Sequence, residues 1–164
     1  MRLHKAKTKC GNRWAYGYPV PTKTNCYEDG IDLVEQIDYD ELDYYIPSVD
    51  SEPIIPNTLC EFTGIHDGTK WSELTPAEKL EFCILIYDDR AFCSDNYDKA
   101  EKYWNGEPIY EYDIVIIKDH TEPFTVRYDA NSGAYILVGA DSEFDFTFIN
   151  PKCCKVIGNE KDRS

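Results

Sequence analysis

The chain is poor in the residues that build metal and nucleophile sites. Histidine occurs only as His4, His66 and His120, with no helical H-x-x-x-H pair, so an imidazole-rich zinc site lacks its ligands. The seven cysteines, Cys10, Cys26, Cys60, Cys83, Cys93, Cys153 and Cys154, contain no C-x-x-C pair. An odd, irregularly spaced set gives no disulfide framework, so they read as reduced thiols, several of them buried as small apolar groups. No G-x-S-x-G elbow, G-x-x-x-x-G-K-[ST] loop or G-x-G-x-x-G turn is present, which removes the familiar hydrolase and nucleotide-binding signatures. No N-x-[ST] sequon occurs, and the first twenty residues lack the apolar core of a signal peptide. The apolar run Cys83 to Tyr87, with Phe82 before it, is far too short to span a bilayer. The expectation is a soluble, cytoplasmic protein without a membrane partner.

Positive charge is also missing over a long stretch. Residues 28–69 hold twelve acids and no lysine or arginine, whereas residues 1–27 carry six bases and no acid. The whole chain has a formal charge of −14. That balance repels naked nucleic acid, whose backbone attracts clustered cations. The basic first strand is expected to pack beside the acidic stretch that follows it. Within that stretch Asp38, Asp40 and Asp43 have the look of an oxygen-ligand calcium loop. The sixth and twelfth positions, Asp43 and Val49, do not fit the required glycine and glutamate, so calcium is rejected. A solvated acidic face is the reading retained.

What remains is enough to fold. The chain has 164 residues, 42% of them hydrophobic and 14% aromatic, which suffices for one domain or two small ones and argues against disorder. Asn12 to Val20 alternates with period two, placing Trp14, Tyr16 and Tyr18 on one face of a strand. Trp14 is expected to fill the core. Pro19 and Pro21 should end this strand or place it at a sheet edge. Thr75-Pro76-Ala77-Glu78 is a helix start with a capping box, and Leu80, Cys83, Ile84 and Tyr87 follow on one helical face. Phe82, Leu85 and Ile86 add apolar surface, so this helix should be covered on more than one side, a strand over Cys83 to Tyr87 being the alternative. A second short helix is expected over Asp95 to Tyr103, with Asp98 and Lys102 one turn apart.

From Tyr112 the pattern turns to short strands. Ile114 to Ile117 reads as a strand buried on both faces. Phe124 to Asp129 and Ala134 to Val138 flank the hairpin signal Asn131-Ser132-Gly133. Phe144, Phe146 and Phe148 alternate as a further strand, with Phe146 in the core, and Cys153 to Ile157 closes the series after Asn150-Pro151. In such a strand Cys153 and Cys154 point to opposite faces. Five short strands suggest a small barrel of SH3-like type. The fold class is therefore α+β and mainly β: a β-rich, acidic segment (1–68), a helical insert (69–103), a barrel (104–158) and a charged tail (159–164).

Two segments carry a family likeness. Ile55 to Gly68 reads I-P-N-T-L-C-E-F-T-G-I-H-D-G, and Trp104 to Val115 reads W-N-G-E-P-I-Y-E-Y-D-I-V. Together they resemble the YopX family of phage and prophage proteins, with its Q-[YF]-T-G-L and I-[YF]-E-G-D-I-V segments. Asn12, Trp14, Gly17 and Tyr18 stand in roughly the arrangement of that family's opening G-x-W-x-x-G-[YF] element, and Val156-Ile157-Gly158-Asn159 resembles its closing V-I-G-N. Among the departures, Glu61 stands in place of glutamine, and Tyr112 in place of glycine. The second means either a β-like backbone at Tyr112 or a tyrosine held under strain. Phe62-Thr63-Gly64 is expected to end a strand in a sharp turn. His66-Asp67 could form an acid–imidazole pair, but Asp67-Gly68 reads first as a turn. Asp113 is expected to bind backbone groups at a strand start.

The resemblance implies an SH3-like C-terminal part and a phage or prophage setting, and it assigns no activity. No catalytic, cofactor-binding or metal-ligating residue is assigned. The expected function is a non-enzymatic accessory protein that binds a host or viral protein. The alternative is an acidic decoy mimicking nucleic acid through the lysine-free stretch, and a further one is a weak nucleic-acid-binding module. Self-association through exposed strand edges is left open.

Overall fold

The computed structural model describes residues 3–22, 30–38 and 48–163, with side chains over 3–17 and 54–162. Its strands fall into two antiparallel sheets. The first contains β1 (His4–Lys7), β2 (Trp14–Thr22), β3 (Gly30–Asp38), β4 (Ser48–Pro53), β5 (Cys60–His66) and β6 (Pro108–Tyr110), in the order β4-β3-β2-β1-β5-β6. The second contains β7 (Asp113–Ile117), β8 (Phe124–Asp129), β9 (Ala134–Val138), β10 (Glu143–Asp145) and β11 (Cys154–Asn159), in the order β10-β9-β8-β7-β11. The chain is mainly β. The second sheet is not closed into a barrel: β10 and β11 stand at its two edges.

β2 changes partner along its length. Trp14 to Gly17 pair with β1, and Tyr18 to Thr22 pair with β3. Pro19 and Pro21 therefore do not end the strand. They lie in the half where the described ladder runs along one side, which suits residues without an amide hydrogen. Trp14 is half-buried rather than a core residue. The small core on this sheet is made by Ala6, Ala15 and Ile54, because Ala15 of β2 faces inward and Trp14 and Tyr16 beside it face the other way.

The helical insert follows its capping signal. Helix α1 (Pro76–Tyr87) starts where the Glu78 carboxylate accepts from the Thr75 amide at 2.7 Å and Thr75 Oγ1 accepts from the Glu78 amide at 3.3 Å. Cys83 is buried, with Leu80, Ile84 and Tyr87 packed about it, as the helical spacing requires. The helix is not covered on further sides, since Leu85 is 76% exposed and Ile86 is exposed as well. A five-residue helix α2 (Arg90–Ser94) precedes a 3₁₀ segment over Tyr97–Tyr103, where a single short helix was expected. Asp89 caps α2 by accepting from the Phe92 amide at 2.9 Å. Trp71, Phe82 and Trp104 make the aromatic centre of the insert, with the Phe82 and Trp104 rings edge to face at 5.0 Å.

The second sheet holds the largest core, including Val115, Ile117, Phe124, Val126, Leu137 and Phe146. Each large apolar side chain buried there contributes roughly 1.5–3 kcal/mol. Ile114 to Ile117 is not buried on both faces: Ile116 is 41% exposed, because β7 gains backbone partners on both sides but cover on one face only. The alternation of Phe144, Phe146 and Phe148 also breaks. Asp145 accepts from the amide and hydroxyl of Thr147, both at 2.8 Å, and turns the chain into a 3₁₀ segment. Phe146 drops into the core and Phe148 is left 85% exposed. Asn150 caps a further 3₁₀ turn before β11; Cys153, the last residue of that turn, is exposed, and Cys154, the first of β11, is buried. The last described residues, Glu160–Arg163, form another 3₁₀ turn.

Candidate functional site

Sheet register gathers a set of polar and aromatic side chains on one face of the first sheet. Lys5 lies opposite Tyr16 on one side and Cys60 on the other, and Phe62 lies opposite Tyr110. Residues opposed in an antiparallel ladder share a face. The Lys5 ammonium sits 4.8 Å from the Tyr110 ring centre and 5.0 Å from that of Trp14. It donates to Asp113 Oδ1 at 2.5 Å, which ties the first sheet to the second.

Asp113 begins β7 and accepts at both oxygens. The Tyr110 amide reaches Oδ2 at 2.8 Å, and Asn159 Nδ2 reaches Oδ1 at 2.8 Å. The expected backbone role is therefore present, with an ion pair and an amide added. Burial pushes the Asp113 carboxyl above its ordinary value, against the pull of Lys5 and the three hydrogen bonds. Cys60, on the same face, is pushed by burial up to about 11 and holds its proton at neutral pH. Lys5 thus pairs with Asp113, and Lys7 Nζ donates to the Asp162 carbonyl at 2.5 Å. The side chains of residues 28–53, which carry the decoy reading and the rejected calcium loop, lie outside the described residues, as does Cys26.

The His66-Asp67 pair is a structural turn. Asp67 is fully buried, and its oxygens accept from the Thr69, Glu107 and Val156 amides at 2.8, 2.8 and 2.9 Å and from the Thr69 hydroxyl at 2.9 Å. Four donors saturate the carboxylate. His66 instead packs edge to face on Phe62 at 5.4 Å, and burial with the nearby Lys152 charge holds its pKa below the ordinary value. Around this knot the backbones touch. A Cβ on Gly68 would stand 2.2 Å from the Lys152 carbonyl oxygen, and one on Gly106 would stand 2.1 Å from that of Asp67. Gly64, at φ +84°, forms a bulge inside β5, so Phe62-Thr63-Gly64 does not end the strand.

Tyr112 takes the strained alternative, with φ +66°. Its amide donates to the Val126 carbonyl at 2.8 Å and its carbonyl accepts from Glu160 at 3.0 Å, which holds the backbone in place. Its ring lies 4.9 Å from the Arg127 guanidinium and 4.6 Å from Lys161 Nζ. Two cation–π contacts offset the left-handed backbone.

A row of rings reaches the surface at one end. Tyr16 and Tyr110 are 5.9 Å apart, Tyr110 and Phe62 5.5 Å, and Phe62 leads on to His66. Tyr110 is buried, Phe62 and His66 are half-buried, and Tyr16 is 47% exposed. Glu107, Asp113, Glu81 and Asp162 act on Tyr16, and together with burial, the largest influence, they raise its phenol above the ordinary value. Glu107 itself is pushed up to about 7 by burial first and by Asp67 next. No ion pair among the described residues uses Glu81 or Glu107.

Comparison with protein-family models, curated proteins and solved structures finds no match to this chain. Among the described residues no group of three or more histidine, cysteine or carboxylate side chains could hold a metal ion. No described helix is long and apolar enough to cross a membrane. Tyr110 and Glu107 escaped sequence reasoning. The [YF] position of the second motif was the available signal for Tyr110; for Glu107 there was none, because its burial depends on a neighbouring sheet and helix.

Proposed function

We propose that this chain is a non-enzymatic accessory protein of phage or prophage type, YopX-like as its motifs suggest, that binds a host or viral protein in the host cytoplasm. The observation that carries this reading is the ring row of Tyr16, Tyr110 and Phe62, open to solvent at Tyr16. Tyrosine and other aromatics concentrate binding energy at protein interfaces, and this row lies on a rigid sheet at little entropic cost. The SH3-like assignment of the C-terminal sheet draws support from its order, β10-β9-β8-β7-β11, and from the 3₁₀ turns before the last strand.

Affinity capture from infected or lysogenic cells, with partners identified by mass spectrometry, tests the reading. The wild-type chain is compared with a Tyr16→Ser/Phe62→Ser double variant shown to be folded by circular dichroism. A partner recovered by wild type and lost from the double variant is the expected result. Equal recovery by both removes this face as the binding surface.

A further inference from the structure

The second sheet carries apolar residues on both faces, and the fold covers one of them. Val115, Ile117, Phe124, Val126 and Leu137 fill the core on the inner face. The register gathers a second set on the outer face. Ile114 lies opposite Thr125 and Thr125 opposite Val138, Arg127 lies opposite Ile136, and Ile116 lies opposite Lys155. Opposed residues of a ladder share a face, as do alternate residues of one strand. Ile116 is 41% exposed, Ile157 at the β11 bulge is 55% exposed, and Ile114, Ile136 and Val138 are half-buried. None of these five joins a hydrophobic cluster among the described residues. Strands with branched aliphatic residues on both faces belong to sheets covered twice, whereas a one-sided sheet alternates apolar with polar. A lone exposed isoleucine needs no explanation, but a contiguous set marks a contact surface.

The charges of this face are mostly spent within it. Arg127 Nη2 donates to Glu160 Oε2 at 2.7 Å, and Lys155 Nζ to Glu73 Oε1 at 3.0 Å. Asp145 is engaged by Thr147, Glu122 at the rim accepts from Ser142 Oγ, and Lys161 lies over the Tyr112 ring beside Arg127. Glu143, opposite Val138, has no ion pair among the described residues. These three bases against five acids leave the face little of the chain's net charge of −14. We infer that this outer face packs against the same face of a second copy of the chain, about a two-fold axis running along the strands. Two copies of like net charge repel each other, and a near-neutral aliphatic face lets them approach. Such an axis lays β10 of each copy over β11 of the other, so Glu143 meets Lys155 twice and the isoleucines interdigitate between. Five strands spaced about 4.8 Å apart and roughly 17–20 Å long give about 400 Å² in plan on each copy. Side-chain relief brings the pair to about 1,000–1,200 Å², the low end of specific interfaces, so the dimer is weak and concentration-dependent.

Sedimentation velocity of the full chain, over a concentration series reaching several hundred micromolar, reads the association directly. A monomer–dimer equilibrium with a Kd of roughly 10–100 μM is expected. Ile116→Asp and Ile157→Asp, both at exposed side chains and checked for folding by circular dichroism, should each weaken it roughly tenfold or more. Leu85→Asp, on the exposed side of α1, should leave it within about twofold. Glu143→Lys and Lys155→Glu should each weaken it severalfold, and the double variant should recover most of the loss. A chain that stays monomeric throughout overturns the inference, as does a dimer indifferent to Ile116→Asp and Ile157→Asp. Equal sensitivity to Leu85→Asp, or a double charge variant no tighter than the single ones, overturns it too. If the chain alone is monomeric while Ile116→Asp abolishes capture of a cellular protein, the face belongs to that protein and self-association falls.

Discussion

Lys5 of the first strand and Asp113 of the seventh meet at 2.5 Å although 108 residues separate them in the chain. Their contact joins the two sheets through a buried charge pair, with Asn159 and the Tyr110 amide filling the remaining lone pairs of the carboxylate. A buried pair matters chiefly through what is left when one member is lost.

Lys5→Met and Asp113→Asn should therefore each destabilise the chain by roughly 3–5 kcal/mol, and the double variant by clearly less than the sum. Urea denaturation of the four proteins closes the cycle. Additive losses would mean that the two residues act independently.

Tyr112 gives a second prediction. Tyr112→Gly relieves a φ of +66° but removes the ring that Arg127 and Lys161 flank, so its stability should stay within about 1 kcal/mol of wild type. Tyr112→Val keeps the unfavourable backbone, adds a β-branch and loses the ring, and should cost roughly 2 kcal/mol or more. Thermal unfolding of both variants checks the order. A valine variant as stable as the glycine variant would show that the backbone is not strained.

Glu107 makes stability depend on pH. Its carboxyl rises from 4.5 to about 7 in the folded chain, where Asp67, Glu78 and Asp113 raise it with burial and Lys5 opposes them. A raised carboxyl means that the folded state holds the proton more tightly, so stability falls as pH rises from about 4.5 to about 7. Glu107→Gln removes that loss. Its gain over wild type in urea midpoint should be larger at about pH 8, above that window, than at about pH 5, near its lower end. A gain that does not vary with pH would place the carboxylate in solvent.

What could be read beforehand was local. The Thr75–Glu78 cap, the Asn131–Gly133 hairpin and the strand at Trp14 all depend on residues close in sequence, and each stands in the structure. Errors came where cover from another element or a single side-chain hydrogen bond decided. Ile116 looked buried until the sheet proved covered on one face, and Phe148 looked like a strand residue until Asp145 bent the chain. The aromatic face was half legible. Period two placed Trp14 and Tyr16 together, but their being the open side followed from Ala6, Ala15 and Ile54 taking the core. Lys5 gave no hint of Asp113, because pairing across two sheets leaves no periodic trace.

The Asp67 knot has a meaning for how this chain tolerates change. The Asp67 amide donates to the Glu107 carbonyl at 2.8 Å, and Trp104 Nε1 to the Thr69 carbonyl at 2.8 Å, so the chain departs and returns at one spot. β5 and β6 are in effect a hairpin whose connection happens to contain helices. Lengthening such a connection costs only about 0.6 kcal/mol per doubling once its ends are held. The segment between them is thus a graft point, where one excursion could be exchanged for another while Gly68 and Gly106 keep the register of everything outside it.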